Sequence, residues 1–176
     1  LILSVLAIPF GTFLKDYQKA RVVGFLNPLK DQSGIGYNVY QSIVAVGSGG
    51  LVGRGYGRGS QSHLSFLPEY HTDFVFASFA EEWGFVFCLL VLICFATLFL
   101  TILKISQTAK YSFYSLIAFS CFSLLFFQTY INIAMNLGLF PVTGIPLPFM
   151  SYGGSSLITS FCLLGLVSNC YRRSSL

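Results

Sequence analysis

Long apolar runs separated by polar or turn-rich breaks set the layout of this chain, and the lengths of the runs predict its elements. Leu1 to about Leu14 is apolar and interrupted by Pro9 and Gly11, which predicts the end of a transmembrane helix over residues 1–14. Polar positions then take over, with Lys15, Asp16, Lys19, Arg21, Lys30 and Asp31 close together and turn chemistry at Asn27-Pro28 and Asp31-Gln-Ser-Gly34. Residues 15–77 read as one large loop with short helices of its own. Within it Tyr37, Tyr40 and Val44 fall at i, i+3 and i+7, with Asn38, Gln41 and Ser42 elsewhere on the wheel. That pattern fits a helix lying on the membrane interface, or equally one packed on the rest of the protein.

The second apolar run, Gly84 to Leu103, is uncharged and long enough to cross a ~30 Å hydrocarbon core. Ser78-Phe-Ala-Glu81 has capping-box spacing, so a transmembrane helix is expected over residues 78–104. Glu81 and Glu82 then complement the dipole of its first turn. Lys104 and Lys110 mark a polar turn at residues 105–112. No charge appears from Tyr111 to Tyr171, which leaves room for two more spans, residues 113–137 and 151–171. Between them, residues 138–150 hold Gly138, Pro141, Gly144, Pro146 and Pro148, which forbid a continuous helix. Arg172 and Arg173 begin a short tail, residues 172–176. The expected fold is an all-α polytopic membrane protein.

Composition sharpens this picture. Of 176 residues 55% are hydrophobic and 9% charged, with a mean hydropathy of +0.73. Soluble domains carry about 25% charged residues, so a soluble fold is excluded. Leu1 opens the chain inside an apolar run with no charged n-region, which is no signal peptide and points to a piece of a longer protein with earlier spans. A net charge of +4, scattered along the chain, gives no basis for nucleic-acid binding. Cys88, Cys94, Cys121, Cys162 and Cys170 lie in apolar runs without a Cys-x-x-Cys pair and are expected to be small buried hydrophobes. Basic residues in short connections face the cytoplasm. Lys104, Lys110, Arg172 and Arg173 therefore place residues 105–112 and 172–176 inside, and residues 15–77 and 138–150 outside. The six basic residues of the large loop run against this rule, which long loops obey poorly.

The chemistry concentrates in Phe66-Leu-Pro-Glu-Tyr-His-Thr-Asp-Phe-Val-Phe-Ala77, where Glu69, His71 and Asp73 meet the start of an apolar run. An ionisable group at a membrane edge is a functional candidate by default, since its charge costs roughly 2.5 to 3.5 kcal/mol in hydrocarbon on insertion scales. Each has a plainer reading. Asp73 after Thr72 fits a helix N-cap, worth about 1 kcal/mol. His71 fits a hydrogen-bonded structural residue, and Glu69, after Pro68, a solvated turn carboxylate. A glycine-rich stretch, Gly47-Ser-Gly-Gly50 and Gly53-Arg-Gly-Tyr-Gly-Arg-Gly59, carries Arg54 and Arg58. It is neither a P-loop nor a dinucleotide fingerprint. Its amides and guanidinium groups suit a diphosphate; the alternative is a mobile loop with solvated arginines. Two functional classes stay open from the residues alone. One is an enzyme acting on a lipid-borne substrate at the outer face, with Asp73 as general base. The other is a transporter or scaffold whose polar loop gates a path or grips a partner.

A run of motifs narrows the choice. Phe25-Leu-Asn-Pro28, Gly36-Tyr-Asn38, Gln41-Ser42, Gly47-Ser-Gly-Gly-Leu51, Leu67-Pro-Glu-Tyr-His-Thr-Asp-Phe74 and Glu81-Glu-Trp-Gly84 occur in order. They end with Pro141-Val-Thr-Gly-Ile-Pro-Leu-Pro-Phe-Met-Ser-Tyr-Gly-Gly-Ser-Ser156. Over nearly the whole chain this resembles the SEDS family of bacterial membrane proteins (shape, elongation, division and sporulation). Ala80-Glu-Glu-Trp-Gly84 and Ala134-Met-Asn136 look more like the elongation (RodA-type) branch than the division (FtsW-type) branch.

The resemblance implies the carboxy-terminal helices of a roughly ten-helix bundle in the bacterial inner membrane, with the large loop facing the periplasm. It further implies a peptidoglycan glycosyltransferase that polymerises lipid II beside a class B penicillin-binding protein, among membrane lipids. A lipid II flippase or a non-catalytic scaffold of the cell-wall machinery is the alternative. The family's essential acid falls on Asp73. A further acid eight positions earlier is common in the family, and this chain has Ser65 there. Glu69, His71, Arg54, Arg58, Ser151 and Gly153 are expected substrate contacts, although Gly153-Gly154 better suits a close approach of helix backbones. No cofactor is certain. A divalent cation, magnesium or manganese, could share the countercharge, but no clustered ligand set marks a site.

Overall fold

The computed structural model describes residue 21, residues 24 and 25, and residues 34–59 and 71–174. The expected helix end at 1–14, Ser65, Glu69 and residues 175–176 lie outside the described residues. From residue 34 onward the elements are α1 (Ile35–Ser48), α2 (Val75–Thr108), α3 (Ser112–Asn136) and α4 (Gly154–Ser174), and no strand occurs among the described residues. The Leu-, Phe- and Ile-rich runs give α2, α3 and α4 the length and composition to cross a membrane.

α2 is 34 residues long, which as one straight helix would measure ~51 Å, far more than a ~30 Å core needs. It is broken at Gly84, whose backbone (φ 77°, ψ −175°) lies in a region essentially restricted to glycine. The part after the break, from Phe85 to Thr108, is about 36 Å and suits the hydrocarbon. α2 begins at Val75, ahead of the expected Ser78. Ser78 is no cap, for its N–H already bonds the Phe74 carbonyl inside the helix, at 3.1 Å. α4 begins at Gly154 rather than Ser151, because Ser151 and Tyr152 are bonded to the segment before α2 instead.

A tight turn joins α2 to α3. Ser106 Oγ donates to the Ser115 carbonyl (3.0 Å) and Ser115 Oγ to the Ser106 carbonyl (2.7 Å), so one last-turn carbonyl of α2 is satisfied by α3. α3 ends in a Schellman motif: Leu139 N–H bonds the Ala134 carbonyl (2.8 Å), Gly138 N–H the Met135 carbonyl (3.1 Å), and Gly138 takes φ +69°. Phe95, Phe99, Phe122 and Phe126 pack in stacked and edge-on pairs between α2 and α3, with centroids 5.5–6.0 Å apart. Toward the end of the bundle that carries Lys104, Arg172 and Arg173, Ile102, Cys121, Leu125 and Val167 form one core cluster. Toward the other end, Phe76, Ala80, Cys88 and Phe95 close around Leu147 from the Pro/Gly connection.

α1 lies against α2 and α3 at that second end. It buries Val39, Ser42 and Ala45, at helical spacing, and leaves Tyr40 and Ile43 exposed. Of the expected stripe, Tyr40 faces away from the core, whereas Tyr37 and Val44 are half-buried. Among the cysteines, Cys88, Cys121 and Cys170 are buried, whereas Cys94 and Cys162 are exposed on the outer sides of α2 and α4, against the expectation that all five are inside. All five are free thiols. An outward-facing position on a membrane helix meets lipid or another helix, so an apolar residue there needs no burial within this chain.

Candidate active site

Three consecutive backbone carbonyls lead into α2, and each is held from outside the segment. The His71 carbonyl accepts from Tyr152 N–H at 2.8 Å, and the Thr72 carbonyl from Ser151 Oγ at 2.7 Å. The Asp73 carbonyl accepts from two side chains of α3, Asn132 Nδ2 at 3.1 Å and Asn136 Nδ2 at 3.0 Å. Asn132 and Asn136 stand one turn apart on α3, so both reach the same carbonyl. Asn136 Oδ1 in turn accepts from Ala77 N–H in the first turn of α2, at 3.0 Å. An N–H facing Oδ1 fixes which way the amide points, and so places Nδ2 toward Asp73. Both asparagines are fully buried, and a buried amide keeps its position only when its donors and acceptors are matched.

The same side chains tie in the Pro/Gly connection. Asn132 Nδ2 also donates to the Ile145 carbonyl (2.8 Å), and Ser151 Oγ accepts from Leu147 N–H (2.7 Å). Gly144, at φ +74°, brings its backbone close to the acid: a Cβ built there would lie 3.6 Å from Asp73 Oδ2. Arg21 reaches the same connection, with Nη1 3.1 Å from the Val142 carbonyl. The N-cap position of α2 is Phe74. Asp73 is therefore not the capping residue, which removes the plainer reading of that acid.

The glycine-rich stretch sits in the break of α2. Phe85 and Val86 N–H donate to the Gly50 and Leu51 carbonyls (2.9 and 3.2 Å). Arg54 and Gly55 N–H donate to the Glu81 and Glu82 carbonyls (both 3.0 Å). The backbone groups orphaned by the break are thus satisfied by the loop, as a low-dielectric setting demands. Such contact leaves no room for side chains at three points. A Cβ at Gly49 would overlap the Ala80 carbonyl oxygen, one at Gly53 the Glu82 carbonyl oxygen, and one at Gly84 the Gly53 nitrogen.

Each expected site residue can now be located. Asp73 is half-buried beside Gly144, and exposed His71 lies near Tyr152, ring centroids 6.4 Å apart. Ser151 is buried, and its hydroxyl both donates and accepts within the protein. Gly153 opens α4, its carbonyl accepting from Leu157 N–H (3.1 Å) and Ser156 Oγ (2.9 Å). The expected close helix approach at Gly153-Gly154 is absent among the described residues: a Cβ at Gly153 would meet only Ser156 of its own helix, and one at Gly154 would meet open space. Arg54 pairs with buried Glu81 at 3.7 Å, and its Nε donates to the Ser48 carbonyl at 3.3 Å. Glu81 therefore faces an arginine and is no first-turn dipole partner. Arg58 lies exposed in the loop. Asn132, Asn136 and Gly144 went unrecognised from sequence as site residues. Two asparagines one turn apart in an uncharged span were the available signal, since polar groups in hydrocarbon demand partners. Among the described residues no three His, Cys, Asp or Glu side chains converge as metal ligands.

Comparison with known proteins agrees with this architecture. The family model described as "Cell cycle protein" (FtsW/RodA/SpoVE) matches residues 1–176. The chain is 42% identical over 167 residues to "Peptidoglycan glycosyltransferase MrdB" of Escherichia coli K12, covering 95% of this chain and 45% of that protein. It is 41% identical to "Peptidoglycan glycosyltransferase RodA" of Treponema pallidum (94% and 40% covered). It is 44% identical to "Probable peptidoglycan glycosyltransferase FtsW" of Synechocystis (92% and 41% covered). A solved structure described as "Structural coordination of polymerization and crosslinking by a peptidoglycan synthase complex" superposes with a TM-score of 0.71 at 32% identity, over 98% of this chain and 48% of that one. The chain thus spans less than half the length of each of these relatives. Matched from end to end by the family model, it belongs to the FtsW/RodA/SpoVE, or SEDS, family of membrane proteins.

Proposed function

We propose that the protein to which these helices belong is a peptidoglycan glycosyltransferase that polymerises lipid II, with Asp73 as its general base. The observation that carries this reading is the clamp on residues 71–73, which fixes the backbone of one acid while Phe74 occupies the cap position. In this mechanism Asp73 takes the proton from the 4-hydroxyl of the acceptor N-acetylglucosamine. The hydroxyl oxygen attacks the anomeric carbon of the donor N-acetylmuramic acid. The bond from that carbon to the diphosphate breaks with inversion, and undecaprenyl diphosphate leaves with the electron pair. A fixed carboxylate within hydrogen-bond reach of the attacking hydroxyl is the geometry that general-base catalysis requires.

Lys104, Lys110, Arg172 and Arg173 lie at the end of the bundle opposite Asp73, which by the positive-inside rule supports a periplasmic Asp73 in the inner membrane. Arg58 is the loop cation best suited to the leaving diphosphate, because Arg54 is committed to Glu81. His71 and Tyr152 flank the acid as substrate contacts, and Glu69 joins them as a candidate from its place in the motif. Support for a class B penicillin-binding protein as partner comes from the solved relative, a complex that couples polymerisation to crosslinking. Relatives of both branches match at similar identity. The elongation branch remains the reading on the Glu81-Glu-Trp-Gly84 and Ala134-Met-Asn136 residues.

The test follows labelled lipid II in vesicles holding the full-length protein and its partner. The expected result is new β-linked glycan. Movement of lipid II between leaflets without new glycosidic bonds would instead make the protein a flippase.

A further inference from the structure

An aspartate just before a helix ordinarily spends its carboxylate on the first-turn N–H groups. Here the N–H of Ala77, third residue of α2, is taken by Asn136 Oδ1, from a helix 59 positions further along the chain. The same amide donates through Nδ2 to the Asp73 carbonyl and to the Asn132 carbonyl, the latter at 2.8 Å. Asn132 orients it further, with Asn132 Oδ1 3.2 Å from Asn136 Nδ2. Ser42 Oγ of α1 holds the Asn136 backbone carbonyl at 2.8 Å.

We infer that Asn136 is a positioning residue for the Asp73 base: it caps α2 from α3 and, together with Asn132, fixes the backbone from which the Asp73 carboxylate projects. This deepens the reading of Asp73 as the base and rests on it. One side chain performs two tasks at once. Its oxygen satisfies the helix start, and its nitrogen sets the position of the acid's main chain. A shift of that main chain by about 1 Å moves the carboxylate off the attacking hydroxyl, a displacement that can cost on the order of 100-fold in rate. Asn136 touches no substrate in this account and acts only through Asp73.

Full-length protein carrying Asn136→Asp, Asn132→Ala, Thr129→Ala or Asp73→Asn is assayed with its partner for apparent kcat and KM on lipid II, per folded molecule. Asn136→Asp keeps the acceptor for Ala77 and loses the donors to Asp73, so kcat should fall roughly 10- to 100-fold with KM within about twofold. Asn132→Ala removes one of the two donors to the Asp73 carbonyl and should lower kcat roughly three- to tenfold, again with little change in KM. Thr129→Ala removes a buried α3 hydroxyl bonded to the Leu125 carbonyl of the same helix, outside the bonds that hold the 71–73 segment, and should leave both within about twofold. Folded Asn136→Asp with a wild-type kcat, or a kcat loss equalled by Thr129→Ala, overturns the inference. If Asn136→Asp does not fold, Asn132→Ala decides by the same criteria. Asp73→Asn separates the two layers of the argument. An active Asp73→Asn sinks the base itself, whereas an inactive Asp73→Asn beside a fully active Asn136→Asp sinks only the positioning role.

Discussion

Residues 71–77, which lead into α2, and the glycine loop at 49–59, which fills its break, are both pinned in place, and by different means. The first is held chiefly by side chains reaching its backbone: Asn132, Asn136 and Ser151 bond two of its carbonyls and one amide, and the Tyr152 N–H meets the His71 carbonyl. The second is held by its own backbone, laid against the broken backbone of α2 at Glu81, Glu82, Phe85 and Val86. A backbone-to-backbone joint needs close approach, and so it requires glycine at 49, 53 and 84 and leaves little for side-chain chemistry to do. Side-chain clamping makes a different demand. It fixes the main chain of residues 71–73 without dictating their side chains, so the acid at position 73 can be chosen for function.

Substitutions can break this comparison at several levels, beginning with the joint itself. Gly84→Ala forces a Cβ onto Gly53 and the strained φ onto a residue that resists it, and should destabilise the protein by about 3 kcal/mol or more. Thermal unfolding of the purified protein reads this, and an unchanged Tm would show that the loop is not seated in the break. Gly144→Ala should act on the other region. It carries a strain of roughly 1–2 kcal/mol at φ +74° in a connection that lies in van der Waals contact with Asp73 Oδ2, at 3.6 Å, so relaxing that strain should shift the acid and lower polymerisation about three- to tenfold while the fold persists. Wild-type turnover in that variant would mean the connection does not set the position of the acid. Arg54→Ala leaves Glu81 without its guanidinium. Because Arg54 is 42% exposed and solvent screens the pair, the expected loss is about 1 kcal/mol, against less than about 0.5 kcal/mol for Arg58→Ala. Denaturation midpoints of the two variants compare them directly. A larger loss at Arg58 would reverse the roles assigned to the two arginines.

What could be read from the sequence follows the same division. The apolar runs gave the three long helices, and the prolines and glycines of 138–150 gave their interruption, because hydrophobic length and helix-breaking residues act locally. Gly84 opens the uncharged run inside the helix expected over residues 78–104, and nothing local marks it as a break, since the loop that stabilises the break lies some thirty residues earlier. Asp73 stood out by its chemistry and its place at a membrane edge. Its support did not: Asn136 served only as a branch marker in the sequence, and nothing local says that a residue of α3 caps α2. Ser151 is an expected substrate contact, and its hydroxyl is engaged by Thr72 and Leu147, a pairing that exists only once the 71–73 segment meets the Pro/Gly connection. Local signals located the acid. Tertiary hydrogen bonds decide what holds it.

The central claim is that one carboxylate, carried on a rigid main chain, removes the proton from the attacking sugar hydroxyl. The most direct test is Asp73→Asn in the full-length protein with its partner, with polymerised lipid II measured per folded molecule. The bonds from Asn132 and Asn136 run to the Asp73 carbonyl, which the variant retains, so the clamp survives the substitution. The variant's polymerisation should fall roughly 100- to 10,000-fold, the range expected on removing a general base. A folded Asp73→Asn protein that builds glycan at the parent's rate would contradict the account.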